Sequence, residues 1–171
     1  MTGLSAVEPL SSAHRTEDFD CGKLELNEFL QRYALMNQGS GGARTYVVHR
    51  DQTIVGYYSL AAGSVEPEKA PKRVRSGMGQ YDIPVILLAR LAVDVREQGK
   101  GIGAALLRNA LLRIAGVAGE MGVRAVLVHA LDEEAKSFYQ LFDFEESPTD
   151  PLHLMLLMKD LRALLRAASG S

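Results

Sequence analysis

Three closely spaced glycines stand near the middle of the chain, in Gln98-Gly99-Lys100-Gly101-Ile102-Gly103. Glycine adopts positive φ without steric cost, so such a run lets successive backbone N–H groups converge on one point. The amphipathic segment that follows puts the positive end of a helix behind them. The chemistry this suits is phosphate binding. A tight strand-to-helix connection needs one such residue, not three with Lys100 between two of them. A magnesium-dependent nucleotide loop needs Ser or Thr after Gly-Lys, and here Gly101 follows, so no hydroxyl is in place to hold a metal. The dinucleotide fingerprint is formally present as Gly99-x-Gly101-x-x-Ala104. However, a helix and a hairpin precede it, and the next strand ends at His129 rather than at an acidic residue, which leaves it as a weaker alternative.

The other reactive residue types argue mainly by exclusion. Cys21 is the only cysteine, so neither a disulfide nor a CxxC pair can form, and a reducing compartment is the natural inference. His14, His49, His129 and His153 show no HxxxH or HExxH spacing, and no metal site is expected. With 19 basic and 21 acidic residues, the net charge of −2 leaves a polyanionic partner to local patches. The candidates for these are Arg44, Arg90 and the group Lys69, Lys72, Arg73 and Arg75, with Lys159, Arg162 and Arg166 as a second set. The longest apolar runs fall far short of the ~20 residues a membrane span needs. Met1 to Leu10 has no basic segment followed by an apolar one, so a cytoplasmic location is expected.

The elements that position these groups follow from periodicity. At 171 residues one domain is expected, residues 1–166, with a fraying tail from Ala167 to Ser171. Leu26, Phe29, Leu30 and Tyr33 make one apolar stripe on a helix from about Leu24 to Asn37, which stops at Gly39-Ser40-Gly41-Gly42. Arg44 to Arg50 and Thr53 to Ala62 read as a hairpin turning at Asp51-Gln52. Val65 to Pro84, with three prolines, is a loop with room for one short helix. Val85 to Asp94 reads as a central strand, because nearly every position is apolar. The glycine turn then opens a helix from Ala104 to about Gly119. A strand from Val123 to His129, a helix from Asp132 to Phe142 and a strand from His153 to Met158 complete an α+β fold. Its sheet is mixed, mostly antiparallel, with helices on both faces.

The glycine segment resembles the acetyl-CoA motif of the GCN5-related N-acetyltransferase (GNAT) superfamily, Gln/Arg-x-x-Gly-x-Gly/Ala, with Gln98 in first position. An overlapping register from Arg96 also fits. The resemblance implies acetyl-CoA as acetyl donor and CoA as product. It assigns the diphosphate to backbone amides of Gln98, Gly99, Lys100, Gly101, Ile102, Gly103 and Ala104, and the pantetheine arm to main-chain groups of Leu91, Ala92 and Val93. A second segment, Ala135-x-x-Phe138-Tyr139 followed by Phe144, is similar to the family's A-x-x-x-Y…GF stretch, which makes Tyr139 the general acid for the departing thiolate. Two positions depart from the pattern. Asp132 stands where many members have Asn and can act as a helix N-cap, and Asp143 stands where they have Gly and can take the left-handed turn.

Segments along nearly the whole chain resemble one branch, the GNAT toxins of bacterial toxin–antitoxin pairs. They are Phe19-Asp20-Cys21-Gly22, Tyr33-Ala34-Leu35-Met36-Asn37-Gln38, Arg44-Thr45-Tyr46-Val47, Gly56-Tyr57-Tyr58-Ser59-Leu60, Arg90-Leu91-Ala92-Val93-Asp94 and Leu127-Val128-His129-Ala130. That resemblance implies acetylation of the α-amino group of aminoacyl-tRNA, a block on translation, a ribbon-helix-helix antitoxin and a homodimer. An α-amino group has a pKa near 7.7–8.0, so a fraction is already nucleophilic and no strong base is required. His129 is the candidate base, although a structural role is the more usual one for a strand-end histidine. These basic residues, Arg44, Arg90, Lys69, Lys72, Arg73 and Arg75, suit either RNA phosphates or an acidic antitoxin tail, and one surface can serve both. A housekeeping acetyltransferase of protein N-termini or small amines, and a CoA-binding module without turnover, are the alternatives.

Overall fold

The computed structural model describes residues 3–169. In chain order it contains β1 (Glu8–Pro9), α1 (Leu24–Glu28), a π-helical turn (Phe29–Tyr33), α2 (Ala34–Gly39), β2 (Arg44–Arg50) and β3 (Thr53–Val65). A 3-10 turn (Pro67–Lys69), α3 (Lys72–Arg75), β4 (Ile83–Val93) and a second 3-10 turn (Val95–Glu97) follow. The chain ends with α4 (Ile102–Ala118), β5 (Ala125–His129), α5 (Glu133–Gln140), β6 (Glu145–Glu146), β7 (His153–Leu157) and α6 (Met158–Ser169). Hydrogen bonding orders a seven-stranded sheet as β1-β2-β3-β4-β5-β7-β6. The β4–β5 pair is parallel, whereas β1–β2, β2–β3, β5–β7 and β6–β7 are antiparallel. This is the α+β, mostly antiparallel architecture expected. β1 and β6 were not foreseen, because two residues carry no readable alternation.

The chain divides into two compact units. The first comprises the described residues up to Ala61 together with Ala89–Ala110. Its core gathers Phe19, Phe29, Leu30, Ala34, Val47, Ile54, Tyr57 and Ala92, and Leu26 packs against it. The expected stripe therefore holds at Leu26, Phe29 and Leu30 but fails at Tyr33, which is 50% exposed. The π-helical turn is the reason. One wide turn advances the register by a residue, so Ala34, fully buried, takes the inward position instead. The Tyr57 hydroxyl donates to the Leu26 carbonyl at 2.7 Å, which satisfies a phenol that burial would otherwise strand. Asp51 and Gln52 both have positive φ, 49° and 70°, as a two-residue hairpin turn demands.

The second unit comprises Ala62–Leu88 and the described residues from Leu111 onward. Val85–Leu88 of β4 run parallel to Ala125–Val128 of β5, and β5 pairs along its whole length with β7. Val65, Ala70, Val74, Ile83, Leu127 and Met155 form the core cluster here. The Arg124 guanidinium fixes the proline-rich segment by donating to the carbonyls of Val74, Arg73 and Ser76 at 2.9, 3.2 and 3.1 Å. Helix α6 continues through Ser169, and the last two residues of the expected tail lie outside the described ones. Asp94 also differs from its expected place in a strand. Its side chain instead caps the second 3-10 turn by accepting from the Arg96 N–H at 2.9 Å.

Candidate functional site

Residues 98–101 form an exposed loop running into α4, whose first residue, Ile102, is buried. Gly99 and Gly101 sit at φ +80° and +83°, and a Cβ on either would meet open space. Backbone conformation, not crowding, is what requires glycine there. Among the described residues, no backbone N–H from Gln98 to Ala104 meets an acceptor, and the first to do so is Ala105, donating to the Gly101 carbonyl at 3.1 Å. A run of unpaired N–H groups at the head of a 17-residue helix has the polarity to receive an anion.

Side chains hold this loop from outside. The Gln98 amide donates to the Val93 carbonyl at 2.8 Å and to the Cys21 carbonyl at 3.1 Å, so it anchors the turn. Asp94, 1% exposed, accepts from the Arg96 guanidinium at 2.8 and 2.9 Å and from the Asp20 N–H at 3.1 Å. Burial opposes its charge, yet the Arg96 side chain and these N–H groups keep its pKa below the ordinary carboxylate value. Glu97 accepts from Arg50 at 2.9 Å and from Lys100 at 3.0 Å, and these two, Arg50 foremost, hold its carboxyl down at about 2. Lys100 is thereby tied to Glu97 rather than standing free. Gly56 lets α4 close on β3, since a Cβ would lie 2.9 Å from Leu106 and 3.2 Å from the Ala92 carbonyl. None of these braces was legible beforehand, because Asp20, Arg50 and Asp94 lie far apart in the chain.

Tyr139 lies in the second unit, on α5, at 6% exposure between Phe138 and Phe144, with ring centroids 5.3 and 5.5 Å away. Burial raises its pKa well above the ordinary phenol value, which keeps the proton on oxygen. Among the described residues the hydroxyl has no hydrogen-bond partner, and no buried side-chain polar atom is left unpartnered, so the ring is enclosed while its oxygen is not wholly buried. Both departures noted in the sequence have structural roles. Asp132 caps α5 by accepting from the Ala135 N–H at 2.9 Å, and Asp143 takes φ +68° in the turn that brings Phe144 back onto Tyr139.

The basic candidates divide. In the first unit Arg44 is exposed, while Arg90 lies 3.6 Å above the Phe29 ring. In the second, Arg73 makes a bidentate pair with Asp160 at 2.6 and 2.9 Å, and Lys69 sits 3.7 Å from Glu66. Lys72 and Arg75 are exposed without an ion pair among the described residues. Folding also unites Glu8, His14 and His49, which motif spacing did not reveal. The Ser11 and Gln52 N–H groups donate to the two Nδ1 atoms, so each Nε2 carries hydrogen and donates to the same Glu8 oxygen at 2.7 Å. That polarity is the reverse of the usual one at a metal-bound imidazole, whose second nitrogen donates. The cluster therefore reads as a latch between the amino-terminal segment and β2.

The sequence pattern of the acetyltransferase (GNAT) domain family matches residues 41–146. A tRNA-acetylating toxin of Mycobacterium tuberculosis is 53% identical, across 96% of this chain and 99% of its own length. The AtaT toxin, solved in complex with acetyl-methionyl-tRNAfMet, superposes with a TM-score of 0.87 at 27% identity, covering 95% of this chain and 99% of that one. A Tyr-to-Phe mutant of AtaT, solved with the C-terminus of its antitoxin AtaR and acetyl-CoA, gives 0.81 at 26% identity, covering 95% and 97%.

Proposed function

The chain belongs to the GNAT acetyltransferase family, and from that premise we infer that it is a toxin that moves acetyl from acetyl-CoA to the α-amino group of aminoacyl-tRNA. The observation that carries this reading is the 53% identity, over almost the whole chain, to a tRNA-acetylating toxin. An acetylated α-nitrogen is an amide and no longer a nucleophile, so a tRNA modified in this way cannot accept a growing peptide.

The residues present fit the donor. Converging N–H groups of the loop at residues 98–104 suit a diphosphate, and main-chain groups of Leu91, Ala92 and Val93 suit an amide-bearing arm. Acetyl-CoA, when bound, supplies the acetyl group as an activated thioester. Tyr139 offers its hydroxyl as a hydrogen-bond donor to sulfur as negative charge develops there. A phenol of raised pKa gives up its proton to a thiolate only at a cost, so the bond is most valuable while charge is forming, and proton loss from the acylated nitrogen completes the exchange.

For the acceptor, Arg44, Lys72 and Arg75 are the first candidates for RNA phosphates, with Lys159 and Arg162 next, because these carry no ion pair among the described residues. Lys69, Arg73 and Arg90 belong to the same reading only if they exchange their present neighbours. The reading includes a ribbon-helix-helix antitoxin that covers basic residues of this set, and a homodimer. No described helix is long and apolar enough to cross a membrane. The test is transfer of labelled acetyl by the purified protein to a mixture of charged tRNAs, to peptides and to polyamines. Label on the charged tRNA is expected. Label confined to peptides or polyamines would replace the toxin reading with a housekeeping one, and CoA binding without free thiol would remove catalysis.

A further inference from the structure

A cavity of about 300 Å³ opens within the second unit, bounded by the end of β3, the proline-rich segment and the facing ends of β5 and β7. Its floor is apolar, from Val65, Leu127 and Met155, whereas its wall carries the carboxylates of Glu66, Asp82 and Asp150. The cations that face them are few. Lys69 lies on the same wall but is 3.7 Å from Glu66, which leaves the cavity acidic on balance.

His129 and His153 close one side. Their rings stack with centroids 3.9 Å apart and planes 13° from parallel. His153 Nδ1 faces the Asp150 carboxylate at 3.7 Å, while the His129 nitrogens have no hydrogen-bond partner among the described residues. Two charged imidazoles cannot stack at that distance without repulsion. Partial burial of the ring, and secondarily His153, push the His129 pKa below the ordinary histidine value, so it stands ready as a neutral acceptor at cellular pH.

We propose that this cavity receives the protonated α-amino end of the acceptor, that its carboxylates draw the ammonium in, and that His129 takes the proton from it. The proposal rests on the acetyltransferase reading above and names the amine subsite of that reaction. One N–H bond of the ammonium breaks and its proton passes to an imidazole nitrogen of His129. The freed lone pair forms the C–N bond to the thioester carbonyl, the C–S bond breaks, and the second proton lost by nitrogen ends on the thiolate that Tyr139 has stabilised. His129 then returns its proton to water. His129 closes β5, and the short link through Asp132 starts the helix that carries Tyr139, so the proton acceptor and the hydrogen-bond donor to sulfur lie on consecutive elements.

The test uses a short tRNA acceptor stem whose terminal adenosine carries glycine through a 3′-amide, which survives alkaline pH. His129→Gln is expected to lower kcat/KM at least tenfold at pH 6.5 and to approach the unsubstituted enzyme at pH 9, where the amine loses its proton unaided. A loss equal at every pH, or no loss, overturns the proposal. Asp150→Asn is expected to weaken binding of this probe severalfold while leaving unchanged the binding of a probe with hydroxyl in place of the amine; equal effects on both overturn it. Independently of any variant, the His129 ring proton resonance of the native protein should shift when the glycyl probe is added in the absence of acetyl-CoA, and a resonance that stays fixed also overturns it. Failure of the native protein to acetylate the probe counts instead against the tRNA reading.

Discussion

The loop at residues 98–104 and the surroundings of Tyr139 and His129 are built on opposite principles. The loop presents main chain: Gly99 and Gly101 are exposed, its N–H groups are unpaired, and the nearby side chains of Gln98, Glu97 and Lys100 are engaged in holding it. The second unit presents side chains: a phenol enclosed by aromatic rings and an acidic cavity with an apolar floor. A main-chain site depends on conformation and tolerates most changes of side chain that leave φ and ψ alone. A side-chain site depends on single atoms, so one substitution can end the chemistry while leaving the structure in place.

The largest effect that this contrast predicts is at Tyr139. Tyr139→Phe removes one oxygen and keeps the packing against Phe144, so kcat should fall by about 10²–10³ with acetyl-CoA affinity nearly unchanged, measured by steady-state kinetics beside calorimetry. A fall in affinity as large as the fall in kcat would erase the distinction. Next comes Gly101→Ala. The added methyl meets nothing, but left-handed backbone costs about 1–2 kcal/mol for a side-chain-bearing residue, which corresponds to roughly 5–30-fold weaker acetyl-CoA binding with kcat at saturation kept. Tolerance of alanine there would mean that the backbone geometry is not what binds.

Gln98→Ala should be milder. It removes two hydrogen bonds that only position the turn, and a KM for acetyl-CoA raised about fivefold is the expected result, on the basis of about 1 kcal/mol. The smallest effect lies outside both sites. Hydrogen bonds from His14 and then His49 lower the Glu8 pKa, so its contribution to stability is present above the ordinary glutamate value and is lost as pH falls through the lowered one. Because the Glu8 side chain is 43% exposed, Glu8→Gln should cost less than about 1 kcal/mol at pH 7 and less still near pH 3, measured by urea unfolding.

What could be read from the sequence follows the same division. Gly99 and Gly101 announce their function because the requirement for positive φ is local to each residue, and Asp143 was legible as a left-handed turn for the same reason. The enrichment of β2 and β3 in Val, Ile, Thr and Tyr located those strands to within a few residues. Tyr33 was misplaced because one π-helical turn shifts a helical register without any mark in composition. Tyr139 could be singled out only through likeness to a family, since a tyrosine on an amphipathic helix is ordinary. The acidic cavity was invisible, because its wall joins residues from Ser64 to Met155 that meet only when β5 and β7 pair.

The parallel pairing of β4 with β5 ends at Leu88 with Val128, although β4 runs on to Val93. Past that point the main chain of β4 holds donors and acceptors in the spacing of an unfinished ladder. An extended ligand bearing amides, docked there as the substitute strand proposed above, should be visible as slowed deuterium uptake at Leu91 and Val93 in place of any change at a side chain.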